Sequence, residues 1–287
     1  MIPVGLALLS ALSFATSTVV QHRAVTSASA APGRRRALRL VFGLLTDRAW
    51  LAGQLAAVAG VALHALALRS GPVVLVQPVL SAGLVFSLAL GALVDRRHPG
   101  RRLPVRAEWL AAGVVVVGLA VFLLTARPAV GTPTGRPTVL FAAAGGELLL
   151  AAAAFAWSRR PGAPHRALVL GVAAGAGFGV TGLLLKDVVA RPIASWEDTW
   201  SLLALVLVGA LAFPAAQLAY RAGHLIESQP SMTVLEPVVA VALASLAFGE
   251  TLAGGWARAG QVGGLVLLTA GVVSLARHQV GPAPAHI

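Results

Sequence analysis

The sequence predicts an all-α membrane protein, a polytopic bundle of about nine transmembrane helices. Hydrophobic residues make up 57% of the 287 residues and charged residues only 11%, whereas soluble domains average about 25% charged residues. The apolar runs are continuous, and each is close to the roughly 20 residues that a helix needs to cross the hydrocarbon. They do not alternate between apolar and polar residues, which disfavours a β-barrel.

Nine apolar runs follow one another, and we predict a transmembrane helix for each. The first resembles a signal peptide, but no positive charge precedes it and three arginines at 34–36 follow it, so we expect it to stay on the chain. The apolar piece at 37–46 is too short to span and is predicted as an interfacial helix. The predicted spans are 3–22, 49–68, 72–94, 108–126, 138–157, 167–186, 200–220, 229–249 and 255–276.

The positive charges of the loops predict the orientation. We call the side of the membrane that carries the N-terminus side A and the opposite side side B. Of the 22 Lys and Arg residues, 16 fall on side B. Positive charges favour the cytoplasm, so we predict a cytoplasmic-membrane protein with its N-terminus outside and its C-terminus inside. The net charge of +12 is therefore interpreted as a topology signal and not as nucleic-acid binding.

The sequence lacks the motifs of catalysis and of cofactor binding. It has no cysteine, and it shows no zinc-protease motif, phosphate-binding loop, dinucleotide fingerprint or nucleophile elbow. We therefore expect neither an enzyme nor a bound cofactor. The expected partners are a small-molecule or ion substrate and the lipid bilayer, and a homodimer is one open option for the oligomeric state.

An internal repeat relates the two halves of the chain. Four short motifs recur in the same order: 14–22 with 178–186, 66–71 with 218–223, Gln77-Pro78 with Glu236-Pro237, and Trp109-x-x-x-Gly113 with Trp256-x-x-x-Gly260. Spans 1–4 (residues 1–137) therefore match spans 6–9 (residues 166–287, with a short C-terminal tail), and span 5 (138–165) is a connector. The connector crosses once, so the two units have inverted topology, as in many secondary transporters.

Three polar residues within spans are the first candidates for a functional site. Glu147 lies near the middle of span 5, and Glu236 and Gln77 each precede a proline at matched positions of the repeat. Ionisable residues inside the membrane are costly and usually mark a pathway. We predict helix breaks at Pro78 and Pro237, with Gln77 and Glu236 lining a shared cavity. Alternatively, Glu147 is a structural acid bonded to a neighbouring helix, and each proline sets a kink that helix packing requires.

Other polar residues have weaker claims. His64 either bonds a carbonyl or relays protons, and Gln217 and Tyr220 either bond across helices or contact substrate. Lys186, the only lysine, is interpreted as snorkelling to the interface, with pairing to a carboxylate or a substrate anion as the alternative. The glycine rows 171/175/179 and 260/264 predict close helix packing.

Two runs of the sequence resemble a known family. Residues 67–94, ALRSGPVVLVQPVLSAGLVFSLALGALV, and 232–251, MTVLEPVVAVALASLAFGET, resemble the repeat of the drug/metabolite transporter (DMT) superfamily, EamA-like, in which an acid such as Glu250 follows the proline-bearing helix. The first unit has Gly91 at the matched position. The nine-span layout, which lacks the usual second span, and residues 177–186 are similar to the NIPA-like magnesium-transporter branch.

The resemblance implies a secondary transporter that moves a small solute by alternating access. The alternative is a NIPA-like magnesium or divalent-cation permease, in which Glu147 and Glu236 supply the metal ligands because magnesium takes carboxylate oxygens. A non-transporting membrane protein is the third hypothesis, since a fold alone does not determine function.

Overall fold

The computed structural model describes residues 2–28, 47–96, 103–129, 131–191, 196–222 and 225–279. Within these residues all regular secondary structure is helical, apart from an isolated bridge between Ala129 and Thr251. Nine helical segments in this part of the chain are long and apolar enough to cross a membrane. The predicted all-α class and the nine spans are thereby confirmed, while the predicted interfacial helix at 37–46 lies outside the described residues.

The observed helices agree with the predicted spans to within a few residues, and the third span is divided in two. The helices are α1 (Ile2–Ala28), α2 (Arg48–Ser70), α3 (Val73–Leu80), α4 (Ala82–Asp95), α5 (Arg106–Ala126), α6 (Pro137–Ser158), α7 (Arg166–Ala190), α8 (Trp196–Ala222), α9 (Leu225–Phe248) and α10 (Ala257–Gln279). Spans 1 and 2 are thus α1 and α2, span 3 is α3 with α4, and spans 4 to 9 are α5 to α10.

The break in the third span follows a proline, as the sequence predicts. Pro78 lies inside α3, and the helix ends two residues later at Leu80; Ser81 separates it from α4. Proline has no amide hydrogen and its ring clashes with the preceding turn, which weakens the helix at this point. The prediction of a second break at Pro237 is wrong, because α9 runs without interruption from Leu225 to Phe248. Proline is tolerated inside membrane helices when neighbours satisfy the freed carbonyl group.

The two predicted units show the same internal packing. In the first, α1 packs along α2 and against α3 and α4; in the second, α7 packs along α8 and against α9. The connector α6 packs on α7 and α8. Across the units, α5 packs along α10 and α3 packs against α9. The largest hydrophobic core lies among these helices and includes Val73, Val115, Leu183 and Phe248.

Glycines allow α5 and α10 to approach backbone to backbone. A Cβ atom at Gly264 would lie 2.8 Å from the carbonyl oxygen of Gly118. Nearer one end, Gly260 faces Thr125, and nearer the other, Gly271 faces Val115. Numbers rise along α10 as they fall along α5, so the two helices are antiparallel. The packing role predicted for Gly260 and Gly264 is confirmed.

Candidate functional site

Helix α7 is the most buried span, and its glycine-rich stretch contacts three of the candidate residues, Gln77, Glu147 and Glu236. Buried residues account for 67% of its most apolar window, the highest share among the nine spans. Its glycines face α9: a Cβ at Gly175 would lie 2.9 Å from Met232 Cα, and one at Gly179 would lie 3.1 Å from Val239 Cβ. Small residues permit such close helix contacts in membranes, and the packing role predicted for this row is confirmed at both positions.

Gln77 lies at the break of the third span and is buried against α7. Its side chain is 1% exposed and touches the backbone of Gly182, where a Cβ atom would overlap its amide nitrogen. Neither Nε2 nor Oε1 of Gln77 has a hydrogen-bond partner among the described residues. Buried polar groups without partners are rare in folded proteins, since each costs about 1–3 kcal/mol. The amide is therefore a candidate for contact with a ligand.

Glu147 approaches the same stretch of α7 from the connector helix. It is 3% exposed, and a Cβ at Gly177 would lie 2.9 Å from its Oε1 atom. This oxygen has no hydrogen-bond partner. The Cβ atom of Ala212 on α8 also faces Gly177. Glu147 thus projects from α6 towards α7 and α8, and its Oε1 atom is unsatisfied among the described residues.

Glu236 is half-buried on α9, and its carbonyl oxygen faces Gly179 of α7. Successive residues of a helix rotate by about 100°, so Gly179 and Gly182 lie about 60° apart, whereas Gly177 points to the opposite side of α7. The structure therefore brings Gln77 and Glu236 to adjacent faces of α7. It places Glu147 against the opposite face of α7.

The remaining predicted residues are dispersed. His64 is half-buried on α2, and its Nε2 atom is buried without a hydrogen-bond partner. Gln217 is exposed on α8. The side chain of Tyr220 lies outside the described part of the structure. Neither His64 nor Gln217 is among the atoms nearest to Gly175, Gly177, Gly179 or Gly182.

The described residues contain no metal centre. No group of three or more His, Asp or Glu side chains comes together among them. Of the two residues predicted as metal ligands, Glu147 places its Oε1 atom at Gly177, whereas Glu236 meets the opposite face of α7, at Gly179, through its backbone carbonyl.

A buried ion pair that the sequence did not place in the site closes one end of the bundle. Lys186, at the side A end of α7, donates to the Oε1 atom of Glu250. The Glu250 carboxylate also accepts the backbone N–H groups of Val73 and Val74, each at 3.0 Å, at the first turn of α3. Glu250 is 0% and Lys186 5% exposed. A carboxylate at a helix N-terminus is favoured by the helix dipole and by the free N–H groups there.

The ammonium group of Lys186 has further partners. It lies 3.4 Å from the carbonyl oxygen of Gly71, within hydrogen-bond distance, and 4.9 Å from the ring centre of Phe248. Such a cation–π contact adds to the ion pair. The interpretation of Lys186 as snorkelling to the interface is therefore wrong, because a buried carboxylate competes successfully with water for its charge. Pairing with a carboxylate, the stated alternative, is confirmed.

The loops of side A complete this closure. Asp187 accepts from the N–H of Gly135 at 2.8 Å and from Arg191 at 3.0 Å. The segment after α5 also runs beside the end of α9, where the N–H of Thr132 donates to the carbonyl of Phe248 at 2.8 Å. Polar contacts at side A thus connect the two predicted units.

Two signals in the sequence point to this cluster in retrospect. Lys186 is the only lysine of the chain, and Glu250 is the acid that the family resemblance singled out. Neither indicates that the two side chains meet, since they are 64 residues apart.

The chain has a relative of known sequence. An uncharacterized protein of Corynebacterium glutamicum is 33% identical to it over 255 residues, which is 85% of this chain and 83% of the relative. The chain belongs to the same family. The name of this relative gives no substrate or activity. No family model matches the chain, and no solved structure matches it significantly.

Proposed function

We propose that the protein is a secondary transporter that moves a small solute across the cytoplasmic membrane by alternating access. The observation that carries the proposal is the pair of unsatisfied buried groups within spans, the amide of Gln77 and the Oε1 atom of Glu147. Polar groups at membrane depth are retained where they line a substrate or ion pathway. The break of the third span beside Gln77 supports it, because interrupted helices form the binding sites of many transporters.

Two inverted units, arranged as in the drug/metabolite transporters, are part of the proposal. A row of buried small residues at 7, 11 and 15 of α1 stands 164 positions before the buried row at 171, 175 and 179 of α7. This is the offset at which 14–22 matches 178–186. The packing of α1 on α2 also corresponds to the packing of α7 on α8. The antiparallel pair α5 and α10 then lies on the symmetry axis.

The alternative, a divalent-cation permease, has less support. Magnesium requires several oxygen ligands, usually including one or two carboxylates, and Glu147 and Glu236 lie on opposite faces of α7. We therefore expect the protein not to restore growth of a magnesium-uptake-deficient strain on low magnesium, at expression levels confirmed by immunoblot. Restored growth would favour the permease.

Transport by purified protein tests the roles of the buried polar residues. A thermal-shift screen of organic solutes identifies a ligand, because ligand binding stabilises the folded state. In proteoliposomes we expect Gln77→Ala and Glu147→Gln each to reduce uptake of that solute about tenfold or more, equivalent to a loss of about 1.4 kcal/mol. Gln217→Ala, which changes an exposed amide, serves as the matched control and should retain normal uptake.

Glu236→Gln belongs to the same series. Glu236 is half-buried, and its backbone contacts α7 at Gly179, so we expect a reduced rate at subsaturating solute. Unchanged uptake in all three variants, with normal protein levels, would contradict the proposed site.

A further inference from the structure

The two units make unequal contacts with one another. Helix α7 of the second unit packs on α2 and α3 of the first. Its repeat counterpart α1 shows no comparable packing on α8 or α9 in the described ranges. The internal packing of each unit is alike, so the asymmetry lies between the units and not within them.

If the protein is an alternating-access transporter, on which this inference rests, the asymmetry indicates which side of the bundle is closed. In an inverted repeat, a contact near side A between α7 and α3 has a symmetric counterpart near side B between α1 and α9. A transporter that alternates access makes one set and breaks the other. The described conformation holds the side A set, so it is closed at side A.

The charge that holds side A closed has no counterpart at side B. Lys186 matches His22 at an offset of 164, and Glu250 matches Gly91 at an offset of 159. Glycine supplies no carboxylate, so the first unit cannot form an equivalent ion pair. The second unit alone supplies the acid that bonds to the first turn of α3.

We propose that the Lys186–Glu250 pair is the gate of side A and makes the conformation closed at side A the resting state. Opening side A separates Glu250 from the N–H groups of Val73 and Val74, which belong to the other unit. The Asp187–Arg191 pair lies within the end of α7 and contacts the first unit through one N–H group, that of Gly135 at 2.8 Å, whereas Glu250 holds two N–H groups of α3. The gate thus joins three pieces of chain: the end of α7, the segment after α9 and the start of α3.

Thiol labelling tests the gate directly. The chain has no cysteine, so a single Ala244→Cys substitution gives one reporter. Ala244 is 0% exposed and lies one turn before Phe248 on α9. A membrane-impermeant maleimide is applied to the side A face of sealed vesicles. We expect slow labelling with the pair intact and a labelling rate about tenfold higher in the Lys186→Met/Glu250→Gln background, a shift of about 1.4 kcal/mol in the gate equilibrium.

Three further backgrounds make the result specific. Lys186→Arg keeps the ion pair and should keep the slow rate, whereas Glu250→Asp withdraws the carboxylate by one methylene group and should raise the rate by a smaller factor. Arg136→Gln removes an exposed positive charge from the same side and should change nothing. Equal labelling rates in the double variant and the parent, both folded by gel filtration, would overturn the gate.

Labelling requires no solute, so the gate and the transport function can fail separately. A faster rate in the double variant supports the gate even where no transported solute is found. An unchanged rate overturns it even where the Gln77 and Glu147 variants lose uptake.

Discussion

Lys186→Met is expected to destabilise the protein by about 3–5 kcal/mol, the usual cost of removing one partner from a buried ion pair. Its partner Glu250 is 0% exposed, so the carboxyl group would lose its cation in a place that water does not reach. The two N–H groups of α3 offset part of this cost, which places the expected loss near the lower end of the range. The measurement is the midpoint of thermal unfolding in detergent, followed by the fluorescence of the six tryptophans.

The double variant Lys186→Met/Glu250→Gln distinguishes a coupled pair from two independent side chains. It carries no charge at either of the two positions, so we expect most of the lost stability to return. Arg136→Gln, at an exposed position, should change stability by less than about 0.5 kcal/mol. If the double variant is as unstable as the sum of the single variants, the two residues are not energetically coupled.

Gly118→Ala and Gly264→Ala are expected to destabilise the contact between α5 and α10 by about 1–3 kcal/mol each, the typical cost of overpacking. A Cβ at Gly118 would lie 2.8 Å from the carbonyl oxygen of Gly264 and 2.9 Å from Leu268 Cα. These are backbone atoms, so no side chain can rotate away and the two helices must separate. Thermal unfolding in detergent again provides the measurement.

The same helices provide matched controls. Gly113 and Gly263 have no atom within 4 Å of a built Cβ, so Gly113→Ala and Gly263→Ala should leave stability unchanged or raise it by up to about 1 kcal/mol through better helix propensity. The opposite signs expected for the neighbours Gly263 and Gly264 make the test sharp. Equal effects at these two positions would contradict the observed face of α10.

Much of the fold follows from the sequence. A bilayer allows few solutions for an apolar chain, because every backbone polar group must be satisfied within the membrane. Apolar runs of about the required length therefore predict helices, and the described ranges contain nine such helices. The glycine pair 260/264 also predicts its role, since small residues at a spacing of four share one face of a helix.

The predictions about prolines show where local sequence stops being sufficient. Pro78 and Pro237 occupy matched positions and have the same chemistry, yet only the span of Pro78 is broken. After Pro78 the chain reaches Gly83, whose backbone lies close to the carbonyl oxygen of Ala11 on α1. Whether a proline breaks a membrane helix thus depends on the neighbouring helices as well as on the residue itself.

The sequence alone predicted nine helices long and apolar enough to span a membrane, which the described part of the chain contains. It also predicted that Gln77, Glu147 and Glu236 lie within spans, where the hydrocarbon penalises polar groups. Only the tertiary structure decided which groups meet. It placed Glu147 on the opposite face of α7 from Gln77, and it joined Lys186 to Glu250 across 64 residues of chain. Pairing at that separation depends on how whole helices pack, which no local pattern of residues encodes.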